Sequence, residues 1–228
     1  MEPSHLTTRT SLAFFGQMTA SVTHEIKNAL AIINENAGLL ADLLLVARDG
    51  APLPHDRLER LGRAVSRQVR RADTIVKNLN RFAHSSDHWT GHCNVEEMLV
   101  LVATLSARLL DQRGVAVEVA AGDNEVSVVT CPFVLQTLVG RSLQFAAGYV
   151  GADKTIHLAA EKDADKNRIL ITGLSLSRET AATPFPGEPE TELLACIGGS
   201  CRNDIQNGRL VISLPDDVTR CRPAVAED

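Results

Sequence analysis

Aromatic residues are scarce in this chain: one Trp, one Tyr and six Phe among 228 residues. Positive charge is not in excess either, with 23 Lys and Arg against 28 Asp and Glu and a formal net charge of −5. Few rings for base stacking and no basic balance argue against nucleic acid as a partner. Long uninterrupted apolar runs are also missing. The longest, Ala37 to Ala47, is broken by Asp42 and falls short of the roughly 20 residues that cross a bilayer, so no membrane partner is expected. The start, Met1-Glu2-Pro3-Ser4-His5, lacks the basic and apolar regions of a secretory leader, which leads to an expectation of cytoplasmic localisation. Five scattered cysteines (Cys93, Cys131, Cys196, Cys201, Cys221) are an odd number, unsuited to a disulfide framework and consistent with reduced thiols.

What is present is 44% hydrophobic residues in two kinds of pattern. Between Ser11 and Ala47, Phe15, Met18, Val22, Ile26, Ala29, Ile33 and Leu40 recur at helical spacing without a proline, one stripe of a long amphipathic helix. Asp49-Gly50-Ala51-Pro52-Leu53-Pro54 then supplies a stop. Beyond it Leu58, Leu61, Val65, Val69, Ala72, Val76, Leu79 and Ala83 form a heptad-like seam. Two such helices make a hairpin that cannot bury both faces alone, and a second copy would complete a four-helix bundle.

The pattern lapses from His84 to Cys93, which reads as a linker. Asn94 and Glu97 resemble a capping box opening a helix through Gln112. Strands are expected at Val115–Val119, Val126–Thr130, Lys154–Ala160, Arg168–Thr172 and Arg209–Leu214. Helices are expected at Pro132–Tyr149 and Thr191–Cys201, with a polar turn at Lys162–Asn167 and a proline-rich loop at Thr180–Pro189. The resulting division is a tail (1–10), a helical hairpin (11–85), a linker (86–93), an α+β domain (94–215) and a loose C-terminal tail (216–228).

His24 falls two residues from both Val22 and Ile26, and at about 100° per residue it faces away from the apolar stripe, toward water. Asn28 follows one turn later, with Lys27 and Ser21 nearby, and Glu25 is rotated partway toward the seam. A neighbouring carboxylate can orient an exposed imidazole and favour the tautomer with a free nitrogen.

The string from Phe15 to Ile33, centred on Thr23-His24-Glu25-Ile26-Lys27-Asn28, resembles the phosphoacceptor box of two-component sensor histidine kinases. Ala72-Asp73-Thr74-Ile75-Val76-Lys77-Asn78-Leu79-Asn80-Arg81-Phe82-Ala83 looks like the end of their dimerisation hairpin. The resemblance implies a homodimeric four-helix bundle with His24 as the phosphorylated residue and Glu25 helping to activate it. It also implies that Asn28 orients a water toward a receiver's acyl phosphate in a phosphatase reaction, and it places Ser21 and Lys27 near the phosphate. Ala29 stands where that box has proline, so a proline kink is not expected.

The order of elements after residue 94 is similar to the ATP-binding domain of the same kinases, giving a sandwich-like α+β module. Its functional residues are not matched. Arg141 and Phe145 stand where the two asparagines of the nucleotide helix belong, Gly173-Leu174-Ser175-Leu176-Ser177 lacks the adenine-reading carboxylate, and Gly198-Gly199 is no glycine-rich lid. The expectation is therefore no bound cofactor and no autophosphorylation from ATP. The chain is similar to the dimeric histidine phosphotransferases of the sporulation phosphotransferase B and ChpT type. The resemblance implies phosphoryl transfer through His24 between response-regulator receiver domains, with Mg2+ supplied by the receiver and possible upstream input from a hybrid histidine kinase. Read without a preceding sensor domain, the chain suits an intermediate in a relay. The alternatives are an ATP-dependent histidine kinase with a diverged nucleotide site, and a non-catalytic module that binds and regulates response regulators.

His84, His88, His92 and Cys93 have metal-like spacing, but Gly91 argues against a continuous helix there, and a polar hinge is expected instead of a metal site. Cys196 and Cys201 lack redox spacing. The second helix carries Arg57, Arg60, Arg63, Arg67, Arg70, Arg71, Lys77 and Arg81 against three acids, a basic face that would suit a solvated surface or a receiver's acidic pocket.

Overall fold

The computed structural model describes residues 4–49, 52–120, 122, 125–163, 166–176 and 185–221. It comprises α1 (His5–Arg48), α2 (His55–His84), β1 (Gly91–Asn94), α3 (Val95–Asp111), β2 (Ala116–Val119), β3 (Ser127–Thr130) and α4 (Pro132–Ala146). These are followed by β4 (Thr155–Asp163), β5 (Lys166–Thr172), α5 (Glu188–Cys196), β6 (Ser200–Asp204), β7 (Arg209–Leu214) and a short 3-10 helix (Val218–Cys221). The chain divides into two compact units, Thr19–Arg81 and Met1–Met18 with Phe82–Asp228. The boundaries differ from the expected division because α1 begins at His5 and its first turns belong with the second unit.

Thr19–Arg81 is an antiparallel helical hairpin. Val22 and Ala29 of α1 and Leu61 of α2 are buried, whereas Leu40, assigned to the stripe, is 40% exposed. The intrahairpin seam also uses Glu25 and Asn36, both partly buried, which an apolar pattern passes over. The remaining apolar residues form a second surface: Leu30, Leu44, Val69 and Val76 are between 41 and 54% exposed. One length-based expectation is corrected. α1 contains an 18-residue window of mean hydropathy 1.6 that is, by length and composition, long and apolar enough to cross a membrane. An uninterrupted-run criterion misses it because single acidic residues split the run.

In the other unit, β1 and β3 pair antiparallel, and a five-stranded mixed sheet runs β2-β4-β5-β7-β6, with only the β2–β4 pair parallel. Alternate residues of the central strands, Ile156 and Leu158, Ile169 and Ile171, Leu210 and Ile212, are fully buried and join the core with α3 and α4. Asn94 caps α3 by accepting from the Glu97 amide at 3.0 Å, as expected. The linker is shorter than expected, since Gly91–Asn94 is a strand whose His92 and Cys93 pair with Val129 and Val128. α5 starts earlier than expected and stops at Cys196; Gly198 has φ of +61° and turns the chain into β6. That polar edge strand has no alternation to betray it. The tail is tied down as far as Cys221: the amides of Val129 and of the Asn167 side chain donate to Asp216, each at 2.8 Å. Residues 222–228 lie outside the described residues, as do the first half of the expected 180–189 loop and the tip of the 162–167 turn.

The first turns of α1 are locked to α4 by aromatic packing. Phe82 is fully buried against Phe14 and Phe15, with ring centroids at 5.9 and 5.5 Å, and Phe133 closes the cluster at 5.6 Å from Phe82. Gly140 of α4 makes room for it: a Cβ there would stand 2.1 Å from the Phe14 ring.

Candidate functional site

His24 lies in mid-α1, far from either helix end, on a surface that the hairpin leaves open; it is exposed. Among the described residues it has no hydrogen-bond or ion-pair partner. Asn28 is exposed one turn later, and Lys27 is exposed as well. Ser21 does not join them. It is 6% exposed, its hydroxyl has no hydrogen-bond partner, and it packs inside the hairpin beside Val22, so its expected place near a phosphate is corrected. The physical reason is helical pitch: three residues before His24 rotates the side chain about 60° toward the buried side.

Glu25 also differs in detail from expectation. Its carboxylate is 18% exposed and accepts from the Arg71 guanidinium of α2 at 3.4 Å, in place of a contact with the imidazole. Arg71 is the partner that pattern reading missed; no motif marks it, because the pairing exists only once α2 lies against α1. The site thus offers a free nucleophilic imidazole, an amide one turn away, and a carboxylate held by a cation from the second helix. This can accept and release a phosphoryl group presented from solvent.

The other unit places Arg141 and Phe145 on α4 facing α5. The Arg141 guanidinium donates to Glu190, which is 4% exposed and also accepts from the Gly187 amide at 3.0 Å. Phe145 stacks on Phe185 at 4.3 Å and meets Tyr149 at 4.8 Å. These side chains satisfy one another across the α4–α5 contact.

Among the described residues no group of three or more His, Cys, Asp or Glu is arranged to hold a metal ion. His84 instead pairs with Asp87 at 2.8 Å. The thiols are shielded: burial pushes Cys93 up to about 11 and Cys201 up to about 12, and it raises Cys131 as well.

No protein-family model and no curated protein matches this chain in sequence. Solved structures do align with it. The nucleotide-free catalytic domain of histidine kinase ThkA matches at a TM-score of 0.46 and 15% identity, over 57% of this chain and 98% of that one. Acinetobacter baumannii histidine kinase AdeS matches at 0.44 and 16%, over 85% of this chain and 98% of its own. The ATP binding domain of PrrB from Mycobacterium tuberculosis matches at 0.45 and 18%, over 57% and 98%. These are likenesses of chain trace alone.

Proposed function

We propose that this chain is a histidine phosphotransferase of a two-component phosphorelay, carrying a phosphoryl group on His24 between receiver domains without using ATP. The exposed, unpartnered imidazole of His24 on the helical hairpin carries this reading. In the forward step an imidazole nitrogen attacks the phosphorus of a receiver's aspartyl phosphate. The nitrogen–phosphorus bond forms, the acyl oxygen–phosphorus bond breaks, and the electron pair leaves with the receiver's carboxylate. The proton on the other ring nitrogen passes to solvent, to which the exposed ring is open. The reverse step delivers the group to a second receiver's aspartate. Mg2+, if brought by the receiver, would supply charge neutralisation at the phosphoryl oxygens. Asn28, one turn from the imidazole, is positioned to orient a water, giving the same surface a phosphatase reaction on the receiver.

The absence of ATP use is supported by what stands on α4. A magnesium ligand must offer an oxygen lone pair, which neither Arg141, a cation already engaged by Glu190, nor Phe145, a ring stacked on Phe185, can supply. A homodimer is supported by the exposed leucines and valines of the hairpin, which a second copy would bury as a four-helix bundle.

The decisive experiment is transfer from a phosphorylated receiver to the wild-type chain and to His24→Gln. Acid-labile, base-stable label on wild type alone is expected. Label from ATP and Mg2+ without any partner would favour the diverged kinase. Full cellular activity of His24→Ala would favour a non-catalytic regulator.

A further inference from the structure

The beginning of α1, the segment between α2 and β1, and the first turn of α4 enclose a groove of about 380 Å³. Thr8, Ser11, Leu12 and Phe15 form one wall, and their spacing puts them on a single face of α1. Phe133 and Val134 of α4 and Trp89 of the connecting segment complete it. All of these residues belong to the same compact unit. The groove is concave: Thr7, Ser11 and Val134 in its floor are at most 5% exposed, whereas Leu12 and Trp89 at its rim are 67 and 39% exposed. Its volume falls in the range of small-molecule sites, roughly 300–1,000 Å³.

No lining residue carries a charge. An ionic ligand would give up its hydration there without gaining a counter-ion, which excludes phosphates, carboxylates and ammonium groups. Three rings supply most of the surface. Phe15 and Phe133 meet edge to face, with centroids 6.2 Å apart and planes at 65°. Trp89 has no ring contact among the described residues. Ring edges and faces arranged in this way are what a planar aromatic molecule packs against.

Four hydroxyls line the groove, and all but one are committed. Thr8 and Ser86 donate to the Ser4 and Ala83 carbonyls at 3.2 and 2.8 Å, and the Thr7 hydroxyl lies 3.1 Å from that of Ser4. The Ser11 hydroxyl is buried and has no hydrogen-bond partner. A buried polar atom left in this state is uncommon in a folded protein, and a single polar atom brought in by a ligand satisfies it. A docked peptide would instead bring a row of backbone amides and carbonyls to a groove that has one free partner to give. An apolar side chain from a second copy would leave the Ser11 hydroxyl unanswered.

We infer that this groove binds an uncharged, planar aromatic molecule with one hydrogen-bonding group, its rings against Phe15, Phe133 and Trp89 and its polar atom at Ser11. The inference is independent of the proposed transfer reaction, because none of these residues belongs to the unit that carries His24. Phe15 and Phe133 are also members of the aromatic cluster that fixes α1 to α4, so the ligand packs directly on that joint.

The test exploits Trp89 as the only tryptophan of the chain. The full chain is titrated with N-phenyl-naphthylamine, an uncharged fused-ring amine, while Trp89 is excited. Saturable energy transfer at one dye per chain is expected. The sulfonated counterpart, anilinonaphthalene sulfonate, should bind at least tenfold more weakly for want of a cation. Leu12→Glu, a change at an exposed position whose folding circular dichroism checks, should weaken the uncharged dye at least tenfold by setting a charge at the rim. Ser11→Ala should weaken it about threefold and leave phenylnaphthalene, which lacks the amine, unaffected. Absence of energy transfer, equal affinity for charged and uncharged dye, or an unchanged affinity in Leu12→Glu would overturn the site. Equal losses for both uncharged probes in Ser11→Ala, or none for either, would overturn the polar contact and with it the ligand class. Unsaturable uptake of many dyes per chain would mark a general apolar surface. A blue shift of Trp89 emission at rising protein concentration, with the dye excluded, would assign the groove to a second copy. Either result overturns the inference.

Discussion

The Glu25 carboxylate, adjacent in sequence to the exposed His24, is held from the other helix by Arg71 at 3.4 Å. Arg71→Gln should therefore slow transfer to and from His24 by about three- to tenfold, a loss of roughly 0.6–1.4 kcal/mol in transition-state stabilisation. Arg71→Lys should recover most of it. Because Arg71 is half exposed, the pair contributes under about 1 kcal/mol to stability, so the melting temperature should scarcely move. Stopped-flow transfer rates alongside thermal melts separate the two effects.

The exposed apolar surface of the hairpin predicts self-association. Leu30→Glu combined with Val76→Glu should convert a dimer to a monomer in sedimentation experiments and leave the helical circular dichroism signal largely intact. The apolar window in α1 makes flotation with anionic phospholipid vesicles the matching control. Vesicle binding by wild type with no dimer in solution would count against the bundle.

Phe14 and Gly140 predict a packing defect. Gly140→Ala places a methyl group where the Phe14 ring lies, 2.1 Å away, and overpacking of this kind costs about 1–3 kcal/mol. Phe14→Ala empties the same space and should cost about 3–5 kcal/mol. Urea unfolding measures both, and Phe14→Leu should relieve part of the Gly140→Ala penalty.

Cys93 and Cys201 predict an alkaline loss of stability. Burial holds their thiols protonated to about 11 and about 12, whereas in the unfolded chain they ionise near 9. Between those values the unfolded state binds fewer protons, so stability falls as pH rises, with a limiting slope of about 1.4 kcal/mol per pH unit for each thiol. Below pH 9 this contribution is fully present. Chemical denaturation at pH 8 and pH 10.5 should show a drop that is reduced in Cys93→Ala, and disulfide reagents should modify both thiols slowly at pH 8.

Arg141 and Glu190 predict that the α4–α5 contact is structural. Glu190→Gln leaves the guanidinium without its buried acid and should cost about 1–3 kcal/mol, part of the charge remaining solvated because Arg141 is only partly buried. Thermal melts measure the cost. ATP with Mg2+ should not raise the melting temperature of wild type.

The two-part architecture was legible because its signals are local. A heptad spacing without proline specifies long helices, Asn94 and Glu97 mark the start of α3, and alternating apolar residues mark β4, β5 and β7. Sequence by itself also determined that His24 faces outward, since helical pitch sets its angle from Val22 and Ile26. Where the pattern was polar or short, it was silent: β6 is a polar edge strand, and β1 exists through pairing with β3. Tertiary structure alone decided which acid meets which base. Arg71 reaches Glu25 from 46 residues away, Arg141 is answered by Glu190, and Ser21 turns inward. Those outcomes depend on how one helix is set against another in register and rotation, a choice made by the summed packing of many side chains and encoded at no single position.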